Sequence, residues 1–307
     1  MTETQRLSKL EGNMRLSRWR GCIADAKIPW SRCRALELVV GPVFLFVLAA
    51  WTSPGQAQEK APWARIVIIG ASVSHGFTAS EPFGGAKTRE YALDRYFNAA
   101  LLAPHDLPQN FANSLFFMLP DDMGHAQIRQ AMTNHPTLVI GIDFLFWFCY
   151  GRGLTDQSRL DHFDKGLKLL EEVDCPLIIG DIPDASAAIY RMLSPSEMPS
   201  AKARAAANRR LKEWAEERRR VTVVPLAEFM RTVTSNKALT GHGYALASGS
   251  TRALLQGDLL HPSQRGCAVL TVSILDALIG GRPDLDASQV RWDPDEVLRE
   301  AGGENVH

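Results

Sequence analysis

Three residue types that together can open an acyl bond stand near opposite ends of the chain. Ser72 lies in "RIVIIGASVSHGF", Arg65 to Phe77, where an apolar run meets Gly70 and a hydroxyl follows two places on. Asp258 and His261 lie in "QGDLLHPSQRG", three positions apart and followed by Pro262. On a turn, or on the first turn of a helix, positions i and i+3 share one side, so the Asp258 carboxylate can accept from the His261 imidazole and fix its tautomer. His261 then keeps one nitrogen as a base. A serine hydroxyl is a weak nucleophile until such a base takes its proton, and a buried carboxylate stabilises the imidazolium that results.

Other chemistry for the Ser72 segment fits less well. A dinucleotide fingerprint wants three glycines, and the segment offers Gly70, Ser72 and His75, so close approach of a pyrophosphate is not provided for. No Gly-Lys-Ser/Thr marks a P-loop. A nucleophile elbow wants glycine two places after its serine, where Ser74 stands instead. Two roles stay open for Ser72, nucleophile and helix cap, since serine is favoured at helix starts. A surface aspartate beside a capping histidine is likewise the plain reading of Asp258 and His261. The pairing of the two ends favours catalysis.

These residues need a scaffold. From about Ala61 onward, short apolar runs ("RIVIIG", "NFANSLFFML", "TLVIGI", "PLIIGDI", "VTVVPL") alternate with amphipathic stretches, the longest being "AKARAAANRRLKEWAEERR" and "QRGCAVLTVSILDALI". Such alternation predicts a parallel sheet covered by helices on both faces, with reactive groups gathered at the carboxyl ends of its strands. Ser72 falls at one of those ends.

With these blocks in place the chain resembles the SGNH (GDSL-like) hydrolases over roughly residues 64 to 280. "IGAS" with Ser72 resembles their first block and "DLLHP" with Asp258 and His261 their last. The resemblance implies a three-layer α/β/α sandwich with a parallel, flavodoxin-like sheet. It also implies serine-dependent ester or acyl chemistry without metal or organic cofactor. The family completes its oxyanion hole with a glycine after the second strand and an asparagine after the third. Gly124 in "DDMGHAQ" is the nearest glycine, and in "IGIDFLFWFCYG" Gly141 aligns while Asp143 occupies the asparagine position. The implied hole is therefore Ser72, Gly124 and Asp143. An ionised carboxylate cannot donate, so Asp143 must be protonated there, or else be structural and leave the hole to the backbone N–H groups of Ser72 and Gly124. The aromatic stretch after that strand offers Phe144 and Trp147 as lining for an apolar substrate pocket, with Phe146, Phe148 and Tyr150 divided between pocket and core.

Composition narrows the partners. Lys+Arg and Asp+Glu both number 34, so no overall basic field draws the chain to nucleic acid. The histidines His75, His105, His125, His135, His162 and His242 show no metal-ligand spacing, and Cys149, Cys175 and Cys267 read as buried thiols with one disulfide at most. Residues 1–57 carry eight Lys+Arg against four Asp+Glu, and "LVVGPVFLFVLAAW", Leu38 to Trp51, suits a signal-peptide core better than a bilayer span. Arg32 and Arg34 form the basic flank, with Gly55 and Ala57 spaced for cleavage. The sequence thus reads as a 1–57 leader followed by a 58–307 SGNH-like domain that is periplasmic or secreted. The alternative keeps 38–51 as an uncleaved membrane anchor facing the periplasm. Expected substrates are small-molecule or polysaccharide esters. Besides hydrolysis, an O-acyltransferase or deacetylase acting on envelope polysaccharide, and a degenerate binding module, fit the same motifs.

Overall fold

The computed structural model describes residues 62–282 and 284–302. The expected 1–57 leader, with its apolar run, Cys22 and Cys33, falls outside the described residues. In chain order the main elements are β1 (Ile66–Ile68), α1 (Ser72–His75), α2 (Leu93–Ala100), β2 (Gln109–Asn110), α3 (Pro120–Thr133), β3 (Leu138–Gly141), α4 (Phe146–Cys149), α5 (Asp156–Leu170), β4 (Leu177–Gly180), α6 (Ala201–Glu216), β5 (Val221–Val224), α7 (Leu226–Thr234), the hairpin β6 (Leu239–Gly241) and β7 (Tyr244–Leu246), α8 (Gln264–Gly281) and α9 (Pro294–Glu300).

Strands β1 to β5 pair in parallel in the order β2-β1-β3-β4-β5. The apolar runs form strands because both faces of the sheet are buried, which continuous Val/Ile/Leu sequence satisfies and alternating sequence would not. Ile66 and Ile68 point into one core, with Leu138, Ile140, Ile178 and residues of α2, α7, α8 and α9. Val67 and Ile69 point into the other, with Val139, Leu177, Ile179 and residues of α4, α5 and α6. The protein is a three-layer α/β/α sandwich, and its strand order is the flavodoxin-like one. The order reverses between β1 and β3, whose carboxyl ends open the crevice where such sheets bind ligands. Among the described residues no helix is long and apolar enough to cross a membrane.

The run "NFANSLFFML" departs from its expected strand. Only Gln109 and Asn110 pair with β1, because asparagine side chains then bend the backbone: Asn110 Oδ1 accepts from Ala112 N–H at 3.0 Å and Asn113 Oδ1 from Leu115 N–H at 2.8 Å. Phe116 is buried, whereas Phe117, Met118 and Leu119 are exposed. Helices α7 and α9 and the hairpin were not anticipated from the sequence.

Candidate active site

The Ser72 turn is built by exclusion of a side chain. After β1 the backbone passes through Gly70 at φ 137°, and a Cβ there would lie 2.2 Å from Asp143 Oδ1. Glycine is the one residue that permits this approach. Gln127 of α3 fixes the glycine from the other side, accepting from Gly70 N–H at 2.7 Å and donating to Gly70 C=O at 2.9 Å.

Asp143, brought in from the end of β3, accepts from four donors. Oδ1 takes Ala71 N–H at 3.0 Å and the Ser74 hydroxyl at 2.6 Å, and Oδ2 takes Val73 N–H at 2.8 Å and Ser74 N–H at 3.2 Å. The start of α1 is thereby capped by a carboxylate from another element, not by Ser72, whose side chain makes no cap hydrogen bond. The N–H groups on either side of Ser72 are occupied, while that of Ser72 bonds to no protein atom among the described residues.

The second half of the site comes from the loop before α8, 189 positions away. Asp258 Oδ1 accepts from Leu260 N–H at 2.9 Å and His261 N–H at 3.0 Å, a local turn that places Leu259 at φ 60°. A leucine in that region costs about 1–2 kcal/mol, which the two carboxylate hydrogen bonds offset. Asp258 Oδ2 lies 2.8 Å from His261 Nδ1, and His261 Nε2 lies 2.8 Å from Ser72 Oγ. With a carboxylate at Nδ1 the proton sits there, and Nε2 is left to accept from the serine hydroxyl. Burial pushes the Asp258 carboxyl upward, but the hydrogen bond and charge of His261 and the two N–H donors outweigh it, and the net shift is below the ordinary value. Both side chains are nearly closed to solvent, His261 at 2% and Asp258 at 8% exposure.

Two further residues hold the imidazole. The Phe77 ring stacks on it with centroids 3.9 Å apart and planes 19° from parallel. Gln256 joins the two loops: its Nε2 donates to the carbonyls of Phe77 at 2.5 Å and Pro262 at 2.9 Å, its N–H donates to His261 C=O at 2.8 Å, and its Oε1 accepts from Ala79 N–H at 3.3 Å. The N-cap hydroxyl of Ser263, accepting from Gly266 N–H, starts α8 immediately after and anchors the loop.

The structure thus brings Ser72, His261 and Asp258 together, keeps Asp143 and Trp147 beside Ser72, and sets Gly124 and Phe144 apart in the packing. Gly124 is corrected: it lies inside α3, where an added Cβ would meet Leu169, Phe144 and Phe148 at 3.1–3.4 Å, so it is a packing glycine whose N–H belongs to the helix. Of the two readings of Asp143, the oxyanion donor is corrected: both its oxygens accept from the Ala71–Ser74 turn, which is the structural alternative. Phe144 is corrected as well, being fully buried against Phe116 and Phe148. Trp147 does line a cavity beside Ser72, together with Phe146, Pro183 and Leu260. Sequence reading missed Gln127, Phe77 and Gln256, whose roles depend on contacts that no spacing announces. Gly70, directly after an apolar run, did carry a signal for a sharp turn. Cys149, Cys175 and Cys267 are free thiols. Among the described residues no three His, Cys, Asp or Glu side chains gather as a metal site.

Fold and site together define a three-layer α/β/α protein with a Ser–His–Asp array at the switch point of its sheet. No protein-family model matches the sequence, and no curated protein matches it. Solved structures similar to it include a lipase/acylhydrolase from Enterococcus faecalis, at 16% identity and TM-score 0.48, covering 75% of this chain and 98% of that one. An acetyl xylan esterase from Geobacillus stearothermophilus is similar at 14% identity and TM-score 0.45, over 70% of this chain and 94% of its own. A GDSL-like lipase from Bacteroides thetaiotaomicron is similar at 13% identity and TM-score 0.40, over 73% and 90%.

Proposed function

We propose that the protein is an SGNH-type serine hydrolase of carboxylic esters. The observation that carries the reading is the continuous relay from Ser72 Oγ through His261 to Asp258, each link at 2.8 Å. Ser72 Oγ attacks the acyl carbon and its proton passes to His261 Nε2. The carbonyl oxygen, now negative, accepts from Ser72 N–H, the donor that Asp143 leaves free. The intermediate collapses, the alcohol leaves with the proton from Nε2, and the acyl group stays on Ser72. Water then attacks with its proton going to the same nitrogen, and the acid is released as Ser72 recovers its proton.

Transfer of the acyl group to a sugar hydroxyl in place of water uses the same acyl-enzyme, so the acyltransferase alternative differs only in the second step. Against a binding-only module stands the strained Leu259 turn, which contributes to aligning His261 and gives a simple binding surface no advantage. Ser72→Ala tests the reading: turnover of p-nitrophenyl esters should fall by roughly 10³-fold or more, with the thermal midpoint nearly unchanged. A variant that keeps its activity removes Ser72 from the chemistry. The reading extends to export, supported by the basic flank, the 38–51 run and Gly55/Ala57. A mature N-terminus close to Gln58, read by mass spectrometry of envelope fractions, would bear on it; an intact N-terminus held in membrane would favour the anchor.

A further inference from the structure

The cavity beside Ser72 runs along the sheet. Its lining follows the carboxyl ends of successive strands: Ser72 after β1, Asp143 and Trp147 after β3, Pro183 after β4 and Leu226 after β5. Three strand intervals of about 4.8 Å make this roughly 14 Å from end to end. Phe229 and Met230 of α7 and Leu270 of α8 also line it, and all three belong to the buried core, so they form its far wall.

We infer that this cavity is the acyl slot, that the acyl group it takes is linear and uncharged, and that Met230 and Phe229 set the longest chain accepted; the inference rests on the ester-hydrolase reading above. Three observations lead to it. The lining is apolar except at the Ser72 end, and the one charged lining residue, Asp143, has both oxygens occupied by α1 donors. A hydroxylated or ionised acyl group would lose its hydration there without a partner. The free volume is about 50 Å³, the space of only a few waters, yet it extends past four strand ends. A slot that long and that small in volume is narrow, which admits a methylene chain and rejects a branched or aromatic acid. The far wall of the slot is core, and Ser72 lies at its other end. In acyl transfer the alcohol departs first, while the acyl chain remains bonded to Ser72 until the second step. A slot walled by core at its far end therefore suits the acyl chain, and the alcohol belongs on the other side of Ser72.

The test is kcat/KM for p-nitrophenyl esters of linear acids from two to twelve carbons, with the pivalate and the hemisuccinate included, on the wild type, Met230→Ala and Met230→Trp. Each carbon buried should raise kcat/KM about fourfold until the chain reaches Met230, and then the rate should drop. Pivalate and hemisuccinate should run at least tenfold below the best linear ester. Met230→Ala should move the optimum to longer chains by about two carbons and Met230→Trp to shorter ones. A cooperative thermal transition would report that each variant keeps its fold, and labelling of Ser72 by a small methylphosphonate ester that it keeps its nucleophile. A flat chain-length profile, or pivalate turned over as fast as the linear esters, overturns the slot while leaving the hydrolase reading intact. So does an optimum that moves in neither labelled variant. No turnover of any ester and no label on wild-type Ser72 would sink the hydrolase reading, and the slot with it.

Discussion

Phe77 lies face to face on His261, ring centroids 3.9 Å apart, and Gln256 bridges their two loops. In the proposed relay His261 becomes a cation while the tetrahedral intermediate exists, and an aromatic face over it favours that form. Replacing Phe77 by Leu keeps most of the bulk and removes the face. We expect kcat to fall roughly two- to fivefold with KM little changed, and Gln256→Ala to act in the same direction by loosening both loops. Steady-state kinetics check this. An unaltered kcat in the leucine variant would reduce Phe77 to packing.

Asp143→Asn inverts an expectation drawn from the family pattern, in which an amide at this position is a donor. Here both oxygens accept from α1, so an amide nitrogen would face N–H groups that need an acceptor. The variant should lose about 1–3 kcal/mol of stability and much of its activity, since the N–H groups around Ser72 are no longer sorted. Chemical denaturation with parallel ester kinetics measures both. An asparagine variant as stable and active as the wild type would contradict the capping role.

Acid should weaken the site through Asp258. Its folded pKa lies below its ordinary value of 3.8, so the stability it contributes is fully present above that value and is lost as pH falls through the depressed folded one. The thermal midpoint of the wild type should exceed that of Asp258→Asn at neutral pH, and the gap should close on acidification below about pH 4. A gap that widens in acid would reverse the sign argued here.

Cysteine chemistry should be silent. Burial pushes the Cys149 thiol up to about 12, the Cys175 thiol up to about 11 and the Cys267 thiol higher still. Only the thiolate alkylates readily. Iodoacetamide at neutral pH should leave ester turnover unchanged, and rapid inactivation would point to a thiol in the mechanism.

The fold was legible because parallel strands buried on both faces leave long apolar runs, and β1, β3, β4 and β5 each occupy one. The segments that carry Ser72 and the Asp258–His261 pair were legible for local reasons. A serine two places past a strand-ending glycine, and an aspartate three before a histidine, can be read from spacing alone. What brings Ser72 within 2.8 Å of His261 is the position of α8 over the sheet, and no local pattern states it. Asp143 stayed open between donor and structural residue because the choice turns on the missing side chain of Gly70, a contact across 73 positions. Gly124 was misread because a glycine in a helix that packs against aromatic rings looks, in sequence, like a glycine in a loop. The short α7 escaped notice between β5 and a hairpin, although it supplies the far wall of the cavity.

The central claim is that Ser72, activated by His261, is an acyl-accepting nucleophile. Its most direct test is the intact mass of the protein after exposure to a fluorophosphonate, followed by peptide mapping. One adduct per chain on Ser72 is predicted, absent in Ser72→Ala and slowed by orders of magnitude in His261→Ala. An adduct that persists in Ser72→Ala, or a wild type that takes up no label while folded, would contradict it.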